Sequence, residues 1–311
     1  MIEHEIVRHE KLKDIRIFLN TIRMRSLHMH RDMELLFVLD GKGTVLSKDK
    51  KHVLQKGDCL LINAYESHEI ICQEKPLTAI FIQFSNHFLR EYFHAVKTTV
   101  FLDDFPRDRF TAPEYEVFTG KILRLAKEYL AAEEYFELRC ISLFAGILES
   151  LLTHLRSEEL TENEYSVRKK TNLRIERIAS YIDAHFQEPV RLSDIAGQEG
   201  ITVTHLSHVI KENFGMTFQE YLKGKRLECA LRQIFDPSLT LSEIALNSGF
   251  SELKYMSAAF RDAFGLSPQE YKARKLPYTL ENKNEASSEY IYPGEEALAV
   301  LDRFDIPVLL A

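Results

Sequence analysis

Two short stretches near the N-terminus carry the residues best suited to chemistry. His28, His30 and Glu34 stand in the spacing H-x-H-x3-E, and Gly41 follows after six further residues. A second stretch, GDCLLINAYESH, runs from Gly57 to His68. Imidazole nitrogens combined with a carboxylate suit Zn, Mn, Fe or Ni, so His28, His30, Glu34 and His68 are candidate ligands of a divalent metal. The same four groups can instead hydrogen-bond a small polar ligand, or one another. In either case they must converge from neighbouring strands, because side chains alternate across a strand and only one set faces inward. The ligand-binding reading, with no cofactor, is the one carried forward. No Ser/His/Asp order, phosphate loop or convincingly spaced acid pair accompanies these residues, so an enzyme is not expected.

The elements around them are consistent with convergence. From 15 to 84 the chain is a series of short apolar runs: IRIFLNTIR, ELLFVL, GTVLS, HVLQ, DCLLIN, HEIIC and LTAIFIQF. Turn signals such as Asp40-Gly41-Lys42-Gly43 and Lys56-Gly57-Asp58 separate them. Many short, evenly spaced strands imply a barrel or sandwich. From about 114 the period changes. Phe118, Ile122, Leu125 and Tyr129, then Phe136, Cys140, Leu143, Phe144, Ile147, Leu151 and Leu155, recur at helical spacing. Two amphipathic helices are expected. The second stripe is long enough to serve a dimer through 133–156, against the alternative that it packs inside one chain. The polar stretch 157–170 is expected to be a linker between independently folding parts.

Beyond it the chain repeats itself. LSDIAGQEGITVTHLSHVIKENFGMTFQEY (192–221) returns as LSEIALNSGFSELKYMSAAFRDAFGLSPQEY (241–271). Ser193 and Ser242 are candidate N-caps. Gly200 and Gly249 fall at the turn, where positive φ is wanted. Thr202 and Ser251 are candidate caps of the following helix. Phe214-Gly215 and Phe264-Gly265 end that helix. Thr217-x-x-Glu220 and Ser267-Pro268-x-Glu270 have the form of capping boxes. A short helix, a glycine turn and a capped second helix make a helix-turn-helix, here twice. A rigid helix at about 218–235 could hold the two units one DNA turn, ~34 Å, apart. By helical spacing the outward residues of the first candidate recognition helix are Thr204, His205, Ser207, His208 and Lys211. A plain helical bundle is the bland alternative, and it does not require a twice-repeated capped helix with small or polar outward residues.

The repeat resembles the AraC/XylS family of bacterial regulators, most closely at IALNSGFSELKYMSAAFRDAFGLSPQEY. The two-part histidine motif resembles that of cupins, the usual partner domain of that family. The resemblance implies that Thr204, Ser207 and His208 read bases. Matching positions in the second unit are Leu253, Lys254, Ser257 and Ala258, with Arg261 near the DNA backbone. Ala258 departs from the family, which often has a basic residue there. Arg226 matches a recurrent family arginine and is expected to be structural. The implied function is a ligand-responsive activator of genes for carbohydrate breakdown. Its implied partners are double-stranded DNA, a small-molecule effector such as a sugar, a second copy of the chain and RNA polymerase. The alternative is a metal-dependent cupin enzyme fused to a DNA-binding domain.

Composition sets bounds on this. The chain has 311 residues and a net charge of -7. Residues 168–275 hold 16 Lys and Arg against 13 Asp and Glu, while the rest holds 24 against 34. A slightly basic segment on an acidic body suits local phosphate contact. Four cysteines without a CxxC pair suggest neither a disulfide framework nor a thiolate zinc site. The start, MIEHEIVRHEKLKD, has no apolar stretch that a secretion signal requires, so a cytoplasmic chain with no membrane partner is expected. The expected fold is α+β in two domains. A cupin-like barrel occupies 1–112, a helical dimerisation region 113–156, the linker 157–170 and a double helix-turn-helix domain 171–276. The tail, 277–311, has no assigned role, though EEALAVLDRF (295–304) could dock as a short helix.

Overall fold

The computed structural model describes residues 11–47, 50–85, 88, 98–273 and 289–304. The N-terminal domain is built from β1 (Ile15–Ile22), β2 (Met24–His28), β3 (Met33–Asp40), β4 (Lys42–Ser47), β5 (Lys50–Gln55), β6 (Cys59–Ile62), β7 (His68–Ile71) and β8 (Leu77–Phe84). A short β9 (Thr99–Phe101) leads into α1 (Ala112–Ala131) and α2 (Phe136–His154). The chain continues through β10 (Ser157–Glu159), α3 (Glu162–His185), α4 (Leu192–Glu199), α5 (Val203–Phe214), α6 (Phe218–Gln233), α7 (Leu241–Asn247), α8 (Leu253–Phe264) and α9 (Pro268–Ala273). It then returns with β11 (Glu289–Ile291) and α10 (Gly294–Leu301).

Two antiparallel sheets form the barrel, in the orders β11-β1-β8-β3-β6 and β2-β7-β4-β5. Alternation decides which residues face which layer. On β1, Ile15, Ile17 and Leu19 pack outward with Met33, Leu35 and Phe37 of β3 against α1 and α2. Phe18 and Ile22 point the other way, into the barrel with Leu36, Val38 and Phe81. The seven apolar runs are all strands, but the first ends at Ile22 and β2 is a separate strand in the other sheet.

Three expectations are corrected by the packing. The stripe on α2 faces inward: Cys140, Phe144, Ile147 and Leu151 are fully buried against the first sheet and α1 within one chain. These residues are therefore taken up by packing inside one chain, the alternative that the sequence also offered. The polar stretch 157–170 is not an extended linker. Residues 157–159 pair with β9, and from Glu162 the chain is helical, started by a Thr161–Glu164 capping box. Its residues are polar because most of this part of the helix is exposed. The two domains are also not separate bodies, since Leu27 and Met29 of the barrel are buried in one helical cluster and Met24 in another.

The stretch at 295–304 does contain a docked helix, and it docks on the barrel domain: Ala297 and Leu301 of α10 are buried beside α1. Ahead of it, β11 adds an edge strand to β1, with Asn20 opposite Ile291. The rest of the tail lies outside the described residues. Among the described residues, no helix is long and apolar enough to cross a membrane.

Candidate functional site

The four candidate ligands come together inside the barrel. His28 ends β2 and is directly opposite His68, which begins β7, with ring centroids 4.1 Å apart. His30 lies in the turn between β2 and β3, and Glu34 points inward from β3. Their exposures are 5%, 0%, 2% and 0% for His28, His30, Glu34 and His68. His30 Nε2 is 3.3 Å from Glu34 Oε2, and His68 Nε2 is 3.5 Å from Glu34 Oε1.

The hydrogen bonds of the rings fix what they offer. Nδ1 of His28 meets the Ser26 carbonyl at 3.0 Å, Nδ1 of His30 the Asp32 carbonyl at 2.6 Å, and Nδ1 of His68 the Glu66 carbonyl at 3.0 Å. A carbonyl oxygen only accepts, so each Nδ1 carries a proton, and a ring in its neutral form presents an Nε2 lone pair. Burial, with His68 and Arg25 nearby, pushes the His28 pKa well below its ordinary value and keeps that ring neutral. Burial pushes the Glu34 carboxyl up, but the charge and hydrogen bonding that the His30 and His68 rings can supply more than offset it and bring it well below its ordinary value.

The ring nitrogens of His28, His30 and His68 lie within 4.8 Å of one another. Glu34 Oε1 and His68 Nε2 are buried and make no hydrogen bond. Lone pairs and a carboxylate aimed at one buried point are the arrangement a cation satisfies, with the Nδ1 bonds as the orienting partners metal-bound histidines usually have. The residues present fit a divalent metal.

Sequence reasoning missed what supports and extends this cluster. Gln83 faces Glu34 across the β3–β8 register and donates to its Oε2 at 3.0 Å. Arg16 in turn donates to Gln83 Oε1 at 3.3 Å. From His28 and Glu34 a cavity of about 510 Å³ opens past Phe18, Arg16 and Arg25 to a wall made by Lys225, Glu228 and Arg232 of α6. The far wall thus belongs to the helical domain. On the outer face of the barrel, burial and the nearby Glu228 raise the Glu69 carboxyl to about 7.

The helical domain holds two helix-turn-helix units, α4–α5 and α7–α8, joined by α6. Gly200 and Gly249 have φ of +64° and +84°. At Gly249 a Cβ would also lie 2.6 Å from the Phe186 carbonyl oxygen, so the second turn admits only glycine. Thr202 caps α5 by accepting from the His205 N–H at 3.2 Å. Three expected caps are displaced. Ser193 and Ser242 lie inside the first turns of α4 and α7, whose N-caps are Arg191 and Thr240. Thr240 forms a capping box with Glu243, which starts α7 before Ser242 is reached. Glu252, not Ser251, precedes α8 and makes no side-chain cap.

On α5 Leu206, Ile210 and Phe214 are buried, while Thr204, His205, Ser207, His208 and Lys211 are all exposed. On α8 Lys254, Ala258 and Arg261 are exposed, but Leu253 and Ser257 are half-buried, Leu253 against the domain's own core. Tyr255, not singled out from the sequence, is 51% exposed with the Lys254 ammonium 4.9 Å from its ring centre. Arg226 donates to the carbonyls of Phe186 and Glu188 at 2.7 and 2.9 Å, tying α6 to the end of α3.

Residues 195–274 match the family described as a helix-turn-helix domain, and residues 23–83 match the cupin domain family. The chain thus carries an AraC-type helix-turn-helix domain with a cupin domain ahead of it. An uncharacterised HTH-type transcriptional regulator of Staphylococcus aureus strain MRSA252 is 22% identical to this AraC-type chain over 292 residues, 94% of this chain and 38% of that protein. The chain therefore spans well under half the length of such staphylococcal relatives. The HTH-type transcriptional activator RhaS of Mannheimia succiniciproducens is 24% identical over 250 residues, covering 79% of this chain and 88% of RhaS. Among solved structures, unsaturated fatty acid-bound ToxT of Vibrio cholerae strain SCE256 is similar over 89% of this chain and all of ToxT, at 14% identity and a TM-score of 0.45.

Proposed function

We propose that this chain is a sequence-specific DNA-binding transcription regulator whose barrel cavity takes a small-molecule effector. The observation that carries the DNA reading is the repeated glycine turn followed by a helix buried on one face and polar and exposed on the other. On α5 that exposed face is Thr204, His205, Ser207, His208 and Lys211. Threonine, serine and histidine can hydrogen-bond base edges, and lysine suits phosphate. The effector reading rests on the cavity that runs from His28 and Glu34 to α6. A small hydroxylated molecule, as a sugar would be, supplies partners for these polar groups. Activation is in keeping with the name of RhaS as a transcriptional activator, while carbohydrate genes, RNA polymerase and a homodimer are what the family resemblance implies.

A second reading is favoured by the buried Glu34 Oε1 and His68 Nε2, which face each other at 3.5 Å without a hydrogen bond. A divalent cation held by His28, His30, Glu34 and His68 would act as a Lewis acid on which an effector could be oriented. In this reading the metal serves sensing and not turnover. The test is selection of preferred sequences from random double-stranded DNA by the full chain, with metal content measured on the same preparation. Enrichment of a two-part motif supports the regulator, and equal retention of all sequences overturns it. Stoichiometric metal supports the second reading.

A further inference from the structure

Strand β2 is a single layer between the cavity and both recognition helices. A β-bulge between Arg25 and His28 breaks its alternation, and bulges re-aim side chains in this way. As a result Arg25 and His28 line the cavity. Met24 and Leu27 face the helices instead. One residue further on, Met29 is buried with Leu27, while His30 meets Glu34. Leu27 and Met29 share a cluster with Leu206, Ile210 and Phe214, the inner face of α5. Met24 shares one with Met256, Phe260 and Phe264, the inner face of α8. Consecutive residues of one backbone thus touch the barrel site and the cores that carry the exposed DNA-facing residues.

Resting on the reading of the barrel as a ligand site, we infer that Leu27 and Met29 are positioning residues that pass occupation of that site to α5. The backbone of 27–30 cannot move His28 and His30 without moving Leu27 before them and Met29 between them. Interiors packed at crystal density carry such displacements rather than absorb them. The strand is also pinned to the connecting helix, since Ser26 bonds Glu228. The same ends of the recognition helices are held by the barrel: Ser67 donates to the Asn213 carbonyl at 2.6 Å and Gln73 to that of Ala263 at 3.4 Å.

The test uses the full chain with Co2+ as the probe, because its visible absorption reports coordination independently of any effect on the helices. Amide hydrogen exchange is followed in α5. For the unaltered chain, Co2+ should change α5 exchange about tenfold, within the range of ordinary site-to-site coupling. The double variant Leu27→Ala/Met29→Ala should keep the absorption band and lose the α5 response. Where that variant does not fold, the volume-conserving Leu27→Ile and Met29→Leu serve in its place, with a reduced response expected. An undiminished α5 response in variants that bind Co2+, or no response in an unaltered chain that binds it, overturns the inference. If the unaltered chain takes no Co2+, the absorption shows that the reading of the site has failed, and the inference falls with it.

Discussion

Ser26 on β2 donates both its backbone N–H, at 3.1 Å, and its hydroxyl to the carboxylate of Glu228 on α6. Two residues 202 positions apart thereby join the barrel to the helix between the helix-turn-helix units. Arg232 donates to the other oxygen of the same carboxylate. Burial pushes the Glu228 carboxyl up, but Lys225, Arg25 and Arg232 pull it down to about 2.

The sign of the resulting pH dependence follows from linkage. An unfolded glutamate titrates near ~4.3, so Glu228 contributes stability above that pH and loses it as pH falls from about 4.3 towards 2. The full contribution is about 3 kcal/mol. Glu228→Gln should lower stability at pH 7 by roughly that amount, and the gap to the unaltered chain should close as pH approaches 2. Denaturant unfolding at pH 7, 5, 4 and 3 measures it. A gap that stays constant across the series contradicts the assignment.

Leu151 tests whether the α2 stripe is core. It is fully buried, whereas Leu138 on the same helix is 67% exposed. Leu151→Ala should cost about 2–5 kcal/mol, as cavity-forming substitutions do. Leu138→Ala should fall within about 0.5 kcal/mol of zero. Thermal melts decide between them. A folded Leu151→Glu protein of normal stability would return this stripe to the surface.

The parts legible in the sequence were those with a local signature. Histidine and glutamate spacing exposed the barrel cluster, and glycine turns with flanking periodicity exposed both helix-turn-helix units. Gln83 was hidden because it sits in the apolar run LTAIFIQF, and only the β3–β8 register brings it to Glu34. Arg25, Glu228 and Arg232 meet through packing of domains distant in sequence, which leaves no periodic trace. The start of α3 had a signal that its polarity obscured, since Thr161-x-x-Glu164 is a capping box. Thr240-x-x-Glu243 is the same signal, two residues ahead of Ser242.

Gln83 gives a prediction about the barrel site. It is fully buried and holds one Glu34 oxygen, leaving the other towards His68. Gln83→Ala should weaken Co2+ or Zn2+ binding by about 10–100-fold, the usual effect of removing an orienting partner. Glu34→Gln should weaken it more, because the charge itself is lost. Titration by calorimetry reads both. Unchanged affinity in Glu34→Gln would mean that Glu34 is not a ligand.

The exposed face of α5 gives the prediction about DNA. Ser207 and His208 lie side by side on that face, and Lys211 lies one turn on. If Ser207 and His208 read base edges, replacing either with Ala should reduce the preference for the selected site over random DNA by about 1–3 kcal/mol. Affinity for random DNA should change little. Lys211→Ala should behave differently: one phosphate contact fewer weakens all sequences alike and lowers the slope of log K against log salt by about 0.9. All three side chains are exposed, so the variants should melt with the unaltered chain, which separates loss of contact from loss of fold. Binding isotherms on selected and random duplexes at three salt concentrations distinguish the cases. Equal loss on both duplexes for His208→Ala would make it a backbone contact, and no loss on either would remove it from the interface.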